Sequence, residues 1–495
     1  MPRVPLLSGT KLVVASAPDA LVLRPPPPGR PTDVEAATRE ALRFPLGGVP
    51  LEGPARNASR VTIVVEPPAL PIPTFAADPR QQAVAAVVDA LDRLGVRSDR
   101  ITLLVACGLM RRTAQRWLPA LVTRELARRF HGHVVVHDAE DPSLVPLDDG
   151  TPPLRVSPAL VETDLVVVVS SAETVLQGGP GALLAAAGAA EQRRATAESL
   201  LETAGSEGWR LATRLERTLA ARVPLLGVSL VLNHPQLTGL LHHYPYDPEA
   251  AERVVRSPLR FGYSVLPAFA RHRILRSLPA ERTAAAVLAG PPSVAHAEAL
   301  LRAIELRGTP LSTPLDALVV GIPGTTPFLP RERPNPLVAA HLGLAHALAL
   351  WRDGFPLSEG GVAILVGSFR RAFARPTQEP YQVFFRAPLA RDPGQLDAAE
   401  AAAGADERAL EEYRAGRTVH PLLPFRDWEA CRPALERLSS VYVAGARDAG
   451  AVRQLGFVPI GGVGAAIQMA RGEAGPNARI GFLLAPPYFP LKVGA

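Results

Sequence analysis

The chain has 495 residues, 47% hydrophobic and 20% charged, a globular balance too long for one domain and too apolar for a disordered protein. Its two cysteines, Cys107 and Cys431, exclude a disulfide framework and a four-cysteine zinc module. The formal charge of +6 is diluted along the chain and aromatics are 5%, so no nucleic-acid partner is expected.

Residues 1–45 carry Arg24-Pro25-Pro26-Pro27-Pro28, which predicts an extended, Pro-rich lead-in. From there short β-branched runs alternate with longer helical stretches. Strands are expected at Val61–Val65, Ile101–Ala106, His133–Val136, Leu165–Val169 and Val223–Leu232, and helices at Gln81–Leu94, Thr113–Arg129 and Glu198–Ala221. The pattern restarts around Pro279. Strands then follow at Ala317–Gly321, Gly361–Val366, Val441–Ala444 and Arg479–Leu484. The helices between them fall at Ala295–Leu306, Pro336–Trp351, Gln395–Ala415, Asp427–Leu438 and Gly464–Arg471. Largely apolar strands alternating with helices predict an α/β protein of two domains, 1–275 and 276–495. Each has a mainly parallel sheet, with a ligand crevice between domains or at strand carboxyl ends. No run approaches the ~18 apolar residues of a membrane span and no leader is evident, so a cytoplasmic protein without a membrane partner is expected.

Several segments carry chemistry. Cys107-Gly108-Leu109-Met110-Arg111-Arg112 follows a strand, where backbone amides and Arg111 or Arg112 can hold an anion; Cys107 itself reads as a buried thiol. Glu173 and then Gln177-Gly178-Gly179-Pro180-Gly181 occupy a strand–loop–helix position in which glycines allow close backbone approach to a phosphate or carboxylate. A tight turn explains the same residues. His137 beside Asp138, and His341 on the helix after Asn335-Pro336, are the candidate catalytic bases. His133 and His137 on one strand stand roughly 13 Å apart, too far to share an ion, and no metal site is assigned.

The order of these segments resembles the nickel-dependent, nickel-pincer lactate racemase family. The resemblance rests on Glu40-Ala41-Leu42-Arg43-Phe44-Pro45, Val61–Val65 with Pro71-Ile72-Pro73, Leu104–Thr113, His137-Asp138, Thr163-Asp164-Leu165 and the glycine loop at 178–181. In the second half it rests on Ala289-Gly290, Ala295-His296, Asp316-Ala317-Leu318, Asn335 and Glu359-Gly360-Gly361. It implies a two-domain lactate-racemase-like fold, a nickel-pincer nucleotide cofactor and 2-hydroxy acid racemisation. Departures cluster at the reactive positions. The family's Asp-x-Thr-Arg-Pro loop falls at Glu66–Pro71 without its arginine, and Met110 stands where the resemblance implies a proton-transfer histidine. Ser170-Ser171 replaces a Pro-His pair, and Gly181 takes the place of the cofactor-tethering lysine. Lysine occurs only at Lys11 and Lys492, leaving 51 arginines.

Methionine and glycine supply neither a titratable proton nor a nitrogen donor for nickel. The resemblance therefore implies a degenerate paralogue that binds a small carboxylate or nucleotide without a lysine-tethered cofactor. Such a protein would work as a homo-oligomer or beside an active paralogue. The alternative is an active 2-hydroxyacid racemase or epimerase using His137, His341 and Arg111. A third possibility, a hydrolase or transferase with Glu173 as base, needs the glycine loop free to hold a phosphate.

Overall fold

The computed structural model describes residues 3–494 other than 57, 69, 71–77, 114–117, 120, 149, 151–152, 325–332 and 387–392. Runs of Val, Ile and Leu too apolar to face water on either side become the central strands of two six-stranded sheets. Strands are labelled β1 (Val4–Ser8), β2 (Lys11–Ala15), β3 (Leu21–Leu23), β4 (Val61–Val65), β5 (Ile101–Val105), β6 (His133–Val136), β7 (Leu165–Ser171), β8 (Leu225–Leu232) and β9 (Ala284–Gly290). The set continues with β10 (Leu315–Gly321), β11 (Leu357–Val366), β12 (Leu438–Ala444), β13 (Val458–Ile460) and β14 (Ile480–Leu483).

The first sheet runs β9-β8-β7-β4-β5-β6, all parallel except β9, which lies antiparallel to β8. All five residues of β4 and all seven of β7 are buried, as expected for strands covered on both faces. The edge strand β6 is different, with Val134 and Val135 exposed. In chain order the sheet grows from β4 through β5 to β6, then returns to the other side of β4 with β7 and β8. That reversal makes the β4/β7 junction the topological switch point, where a crevice opens at the strand carboxyl ends. The second sheet runs β13-β12-β11-β10-β14-β3, all parallel.

Helices α1 (Val34–Arg43), α2 (Pro79–Arg93) and α3 (Glu207–Ala220) begin where Asp33, Asp78 and Ser206 accept backbone N–H bonds from the first turn. Further on come α4 (Leu259–Val265), α5 (Ala268–Ser277), α6 (Pro292–Arg307), α7 (Pro336–Ala340) and α8 (Leu423–Glu429).

Several expectations are corrected. Residues 1–45 are no extended lead-in: β1 and β2 form a hairpin around Gly9 (φ +61°), β3 joins the second sheet and α1 is helical. The hairpin buries Val4, Leu6 and Ala15 against Val319 and Ile364 of the second sheet. The first sheet also reaches beyond residue 275, because β9 pairs with β8. The helix expected over 336–351 is α-helical only to Ala340; a π-helical turn follows over His341–Ala347, and Trp351 begins a short strand. The stretch 395–415 breaks into two helices where Asp406 caps the second. Of the helix expected over 113–129, Arg124–Arg129 is helical, while residues 114–117 and 120, like Pro71-Ile72-Pro73, lie outside the described residues.

One apolar core spans both halves: Leu109, Ala172 and Val175 pack in the same cluster as Leu337, Leu344 and Tyr413. Each such Leu or Val contributes roughly 1.5–3 kcal/mol by leaving water. Among the described residues no helix is long and apolar enough to cross a membrane.

Candidate functional site

The crevice at the carboxyl ends of β4 and β7 is lined by Glu66, Arg80, Ser170, Ser171, Gln177 and Gly178. Beside it, Glu66 and Gln177 also line a cavity with Gly108, Met110, Gly181 and Gln192, closed from the second half by Arg426 of α8. Residues from both halves thus meet over Glu66.

Sequence dictates this geometry locally. Gly178 (φ +90°) and Gly179 (φ +51°) occupy conformations unfavourable to side chains, and a Cβ on either would lie within 2.4 Å of His296. His296 is buried and loss of hydration lowers it to about 4, so its ring is neutral at ordinary pH. Its Nε2–H donates to the Thr174 carbonyl at 2.9 Å, leaving Nδ1 to accept from Ser229 Oγ at 3.2 Å. The loop's amides are already engaged: Gly178 N donates to Glu66 Oε2 at 2.7 Å and Gly179 N to Ser170 Oγ at 2.9 Å. They form no vacant phosphate cradle, so the third possibility has lost its binding element.

Electrostatics separate the acids. Burial pushes Glu66 up to about 8, with the neighbouring charge of Glu173 adding to the effect and the Gly178 amide opposing it. Glu173 is also buried, but Arg282, Arg80 and Arg307 outweigh its desolvation and hold its carboxyl below the usual range. It is ion-paired with Arg282 beneath the crevice. Asp78 grips Arg80 through two hydrogen bonds, 2.9 Å from Nε and 2.5 Å from Nη2. This network fixes Arg80 at the crevice wall.

The anticipated bases do not converge. His137 is buried, its Nε2–H donates to the Ala187 carbonyl at 2.7 Å, and desolvation lowers it to about 4. His341 Nδ1–H donates to the Asp427 carbonyl at 3.0 Å, and its ring stands edge-on to His346 with centroids 4.6 Å apart. Neither histidine lines the crevice beside Glu66 or the adjoining cavity. Arg111 and Arg112 instead join the halves. Arg111 Nε donates to the Gly416 carbonyl at 2.7 Å and Nη1 to Thr377 Oγ1 at 3.2 Å. Arg112 pairs with Asp138 at 3.0 Å and donates to the carbonyls of His137 and Arg414. Asn335 caps α7, accepting from Val338 N at 3.0 Å, and is fully buried. Gln177, Gly178 and Gly181 do reach the site. Cys107 is a buried thiol beside the His137 carbonyl.

The residue missed in the sequence is Arg426. Its guanidinium keeps 27% exposure and is 3.7 Å from Asp427, too far for a hydrogen bond. Asp427 Oδ1 faces Arg426, while its Oδ2 accepts from the Tyr381 hydroxyl at 2.5 Å. Arg426, ion-paired with Asp427 without a hydrogen bond to it, brings a cation to the cavity lining, and no local motif marks it.

The group implied by the resemblance does not fit these residues. A Cβ on Gly181 would lie 2.6 Å from the Leu176 carbonyl oxygen, so this backbone has no room for a tethering side chain. Met110 faces the cavity with a thioether. Lys11 is exposed on β2, and the stem of Lys492 packs against Gly308. Among the described residues no group of three His, Cys, Asp or Glu side chains could hold a metal ion.

Among known protein families, residues 8–179 match the lactate racemase N-terminal domain. Comparison with curated proteins finds no match. Among solved structures, the lactate racemase apoprotein of Thermoanaerobacterium thermosaccharolyticum is similar over 99% of both chains, with 13% identity and a TM-score of 0.62, and shows the shared fold. A Thermotoga maritima protein matches at 12% identity over 94% of this chain and all of its own, with a TM-score of 0.47.

Proposed function

We propose that this chain, whose residues 8–179 match the lactate racemase N-terminal domain, binds a small carboxylate between its halves and holds no lysine-tethered nickel cofactor. The observation that carries this reading is the cavity in which Arg426 of the second half faces Glu66, Gln177 and Gln192 of the first. Arg426 supplies a fork of donors for a carboxylate and the Gln177 amide a hydrogen bond for a neighbouring hydroxyl or carbonyl, while the Gln192 amide is turned to the Ala187 carbonyl at 2.7 Å. Glu66, carrying its proton, donates to the ligand without repelling it. A carboxylate is favoured over a nucleotide because the glycine-loop amides are committed to Glu66 and Ser170.

Racemisation of a 2-hydroxy acid needs a redox-capable centre and a base for the hydroxyl proton. Neither His137 nor His341 lines the crevice or the adjoining cavity, so neither stands where it would take that proton from an acid bound there. Titration calorimetry with lactate and other short 2-hydroxy acids tests the proposal. Saturable binding of at least one acid is expected, weakened about ten-fold or more in Arg426→Ala through loss of a charge-assisted pair. Absence of heat across the series, or binding indifferent to Arg426→Ala, counts against it.

A further inference from the structure

Helices α4 and α5 carry a surface that the crevice does not use. Leu259, Phe261, Val265 and Phe269 are 66–82% exposed, and Ile274 adds to the same pair of helices. Large side chains in such numbers on consecutive turns exceed the scattered apolar exposure normal for a monomer. The pair is anchored from behind. The Tyr263 hydroxyl donates to the Thr10 carbonyl at 2.6 Å, and buried Arg271 donates to Thr10 Oγ1 and the Ser264 carbonyl. With these polar groups turned onto the β1–β2 hairpin, the outer side is left to apolar and cationic residues.

Charge identifies the occupant. Between Glu252 and Glu281 the sequence holds six arginines and no acid. Two of these, Arg253 and Arg256, face carboxylates of the preceding helix, and Arg271 is buried. Arg260, Arg273 and Arg276 have no ion-pair partner among the described residues, and Arg260 lies over the Phe261 ring at 5.0 Å. A second copy of this face is disfavoured, since a two-fold contact would set these cations against each other. Aromatic and aliphatic side chains interleaved with arginine suit an anionic lipid headgroup layer, where rings enter the interface and guanidiniums meet phosphates.

We propose that α4 and α5 dock this protein onto anionic bilayer surfaces, peripherally and reversibly. Each helix is too short to span a bilayer and only one side of the pair is apolar, which suits lying in the interface rather than crossing it.

Sedimentation of the full chain with phosphatidylcholine vesicles, with and without phosphatidylglycerol, tests this. Binding is expected only to the phosphatidylglycerol vesicles, and to be released at about 0.5 M salt as screening shortens to a few ångströms. Phe261→Asp/Phe269→Asp should reduce binding about ten-fold or more, and Arg273→Ala/Arg276→Ala should reduce it with no change in melting temperature. Because the aspartate variant replaces apolar groups, its fold is checked by circular dichroism and the arginine variant stands as the independent arm. No sedimentation with anionic vesicles overturns the proposal. So does binding that both variants retain, or a dimer in sedimentation velocity that either variant dissolves while vesicle binding is absent.

Discussion

Glu66 takes up a proton on folding. Its carboxyl is raised from 4.5 to about 8, so between those values the folded chain binds more protons than the unfolded one. The stabilising contribution of the protonated form is complete below about 4.5 and is lost as pH rises through about 8. Asp78 and Glu173 are lowered and behave oppositely, losing their contribution as pH falls through their folded values, in a separate acidic window. Glu66→Gln keeps an acceptor for Gly178 N without the titration. Urea unfolding of the two proteins at pH 5 and pH 9 should therefore show the variant gaining roughly 1–4 kcal/mol on wild type at the higher pH, since each tenfold change in proton affinity is worth about 1.4 kcal/mol. Equal differences at both pH values would mean that Glu66 is not raised.

At the scale of elements, the turn after β5 and the segment 413–420 form the joint that holds the two sides of the crevice. The Tyr413 hydroxyl donates to the Gly108 carbonyl at 3.2 Å and accepts from Ala139 N at 3.3 Å, and His420 N donates to the Leu109 carbonyl at 3.0 Å. Arg112 adds an ion pair, three carbonyl bonds and a cation–π contact with Tyr413 at 5.8 Å. Arg112→Ala leaves Asp138 and the His137 and Arg414 carbonyls without these partners, at a cost of about 2–4 kcal/mol. The melting temperature should fall accordingly, and carboxylate affinity should weaken with it because the segment 413–420 leads directly into α8, which carries Arg426. An unaltered melting temperature would remove Arg112 from this role.

The same scale shows what the chain discloses before it folds. Uninterrupted β-branched runs such as Val61–Val65 have one good solution, a strand buried on both faces, and they sit where their composition puts them. The Pro run at 25–28 is a louder signal than the single Gly9 turn, so it masks the hairpin at Val4–Ala15. The π-helical turn at His341–Ala347 carries no marker in an Ala/Leu sequence that suits an α-helix equally well. Within the site, Gln177, Gly178 and Gly181 are legible because a glycine-rich stretch stands between the apolar strand β7 and the next helical run. Arg426 is not, since only the tertiary fold brings α8 to Glu66.

For the whole molecule, the two sheets share the fold of the lactate racemase apoprotein, and Met110 and Gly181 stand where the sequence resemblance implies a proton-transfer histidine and a tethering lysine. The claim that matters most is that this backbone holds no covalently tethered nickel cofactor, since Gly181 leaves no space for a side chain and the two lysines stand elsewhere. It is tested most directly by intact mass spectrometry of the purified chain after co-production with a cofactor-synthesising system that loads an active lactate racemase in parallel. The bare polypeptide mass is expected here, against a shifted mass in the control. A stoichiometric adduct on this chain would contradict the proposal.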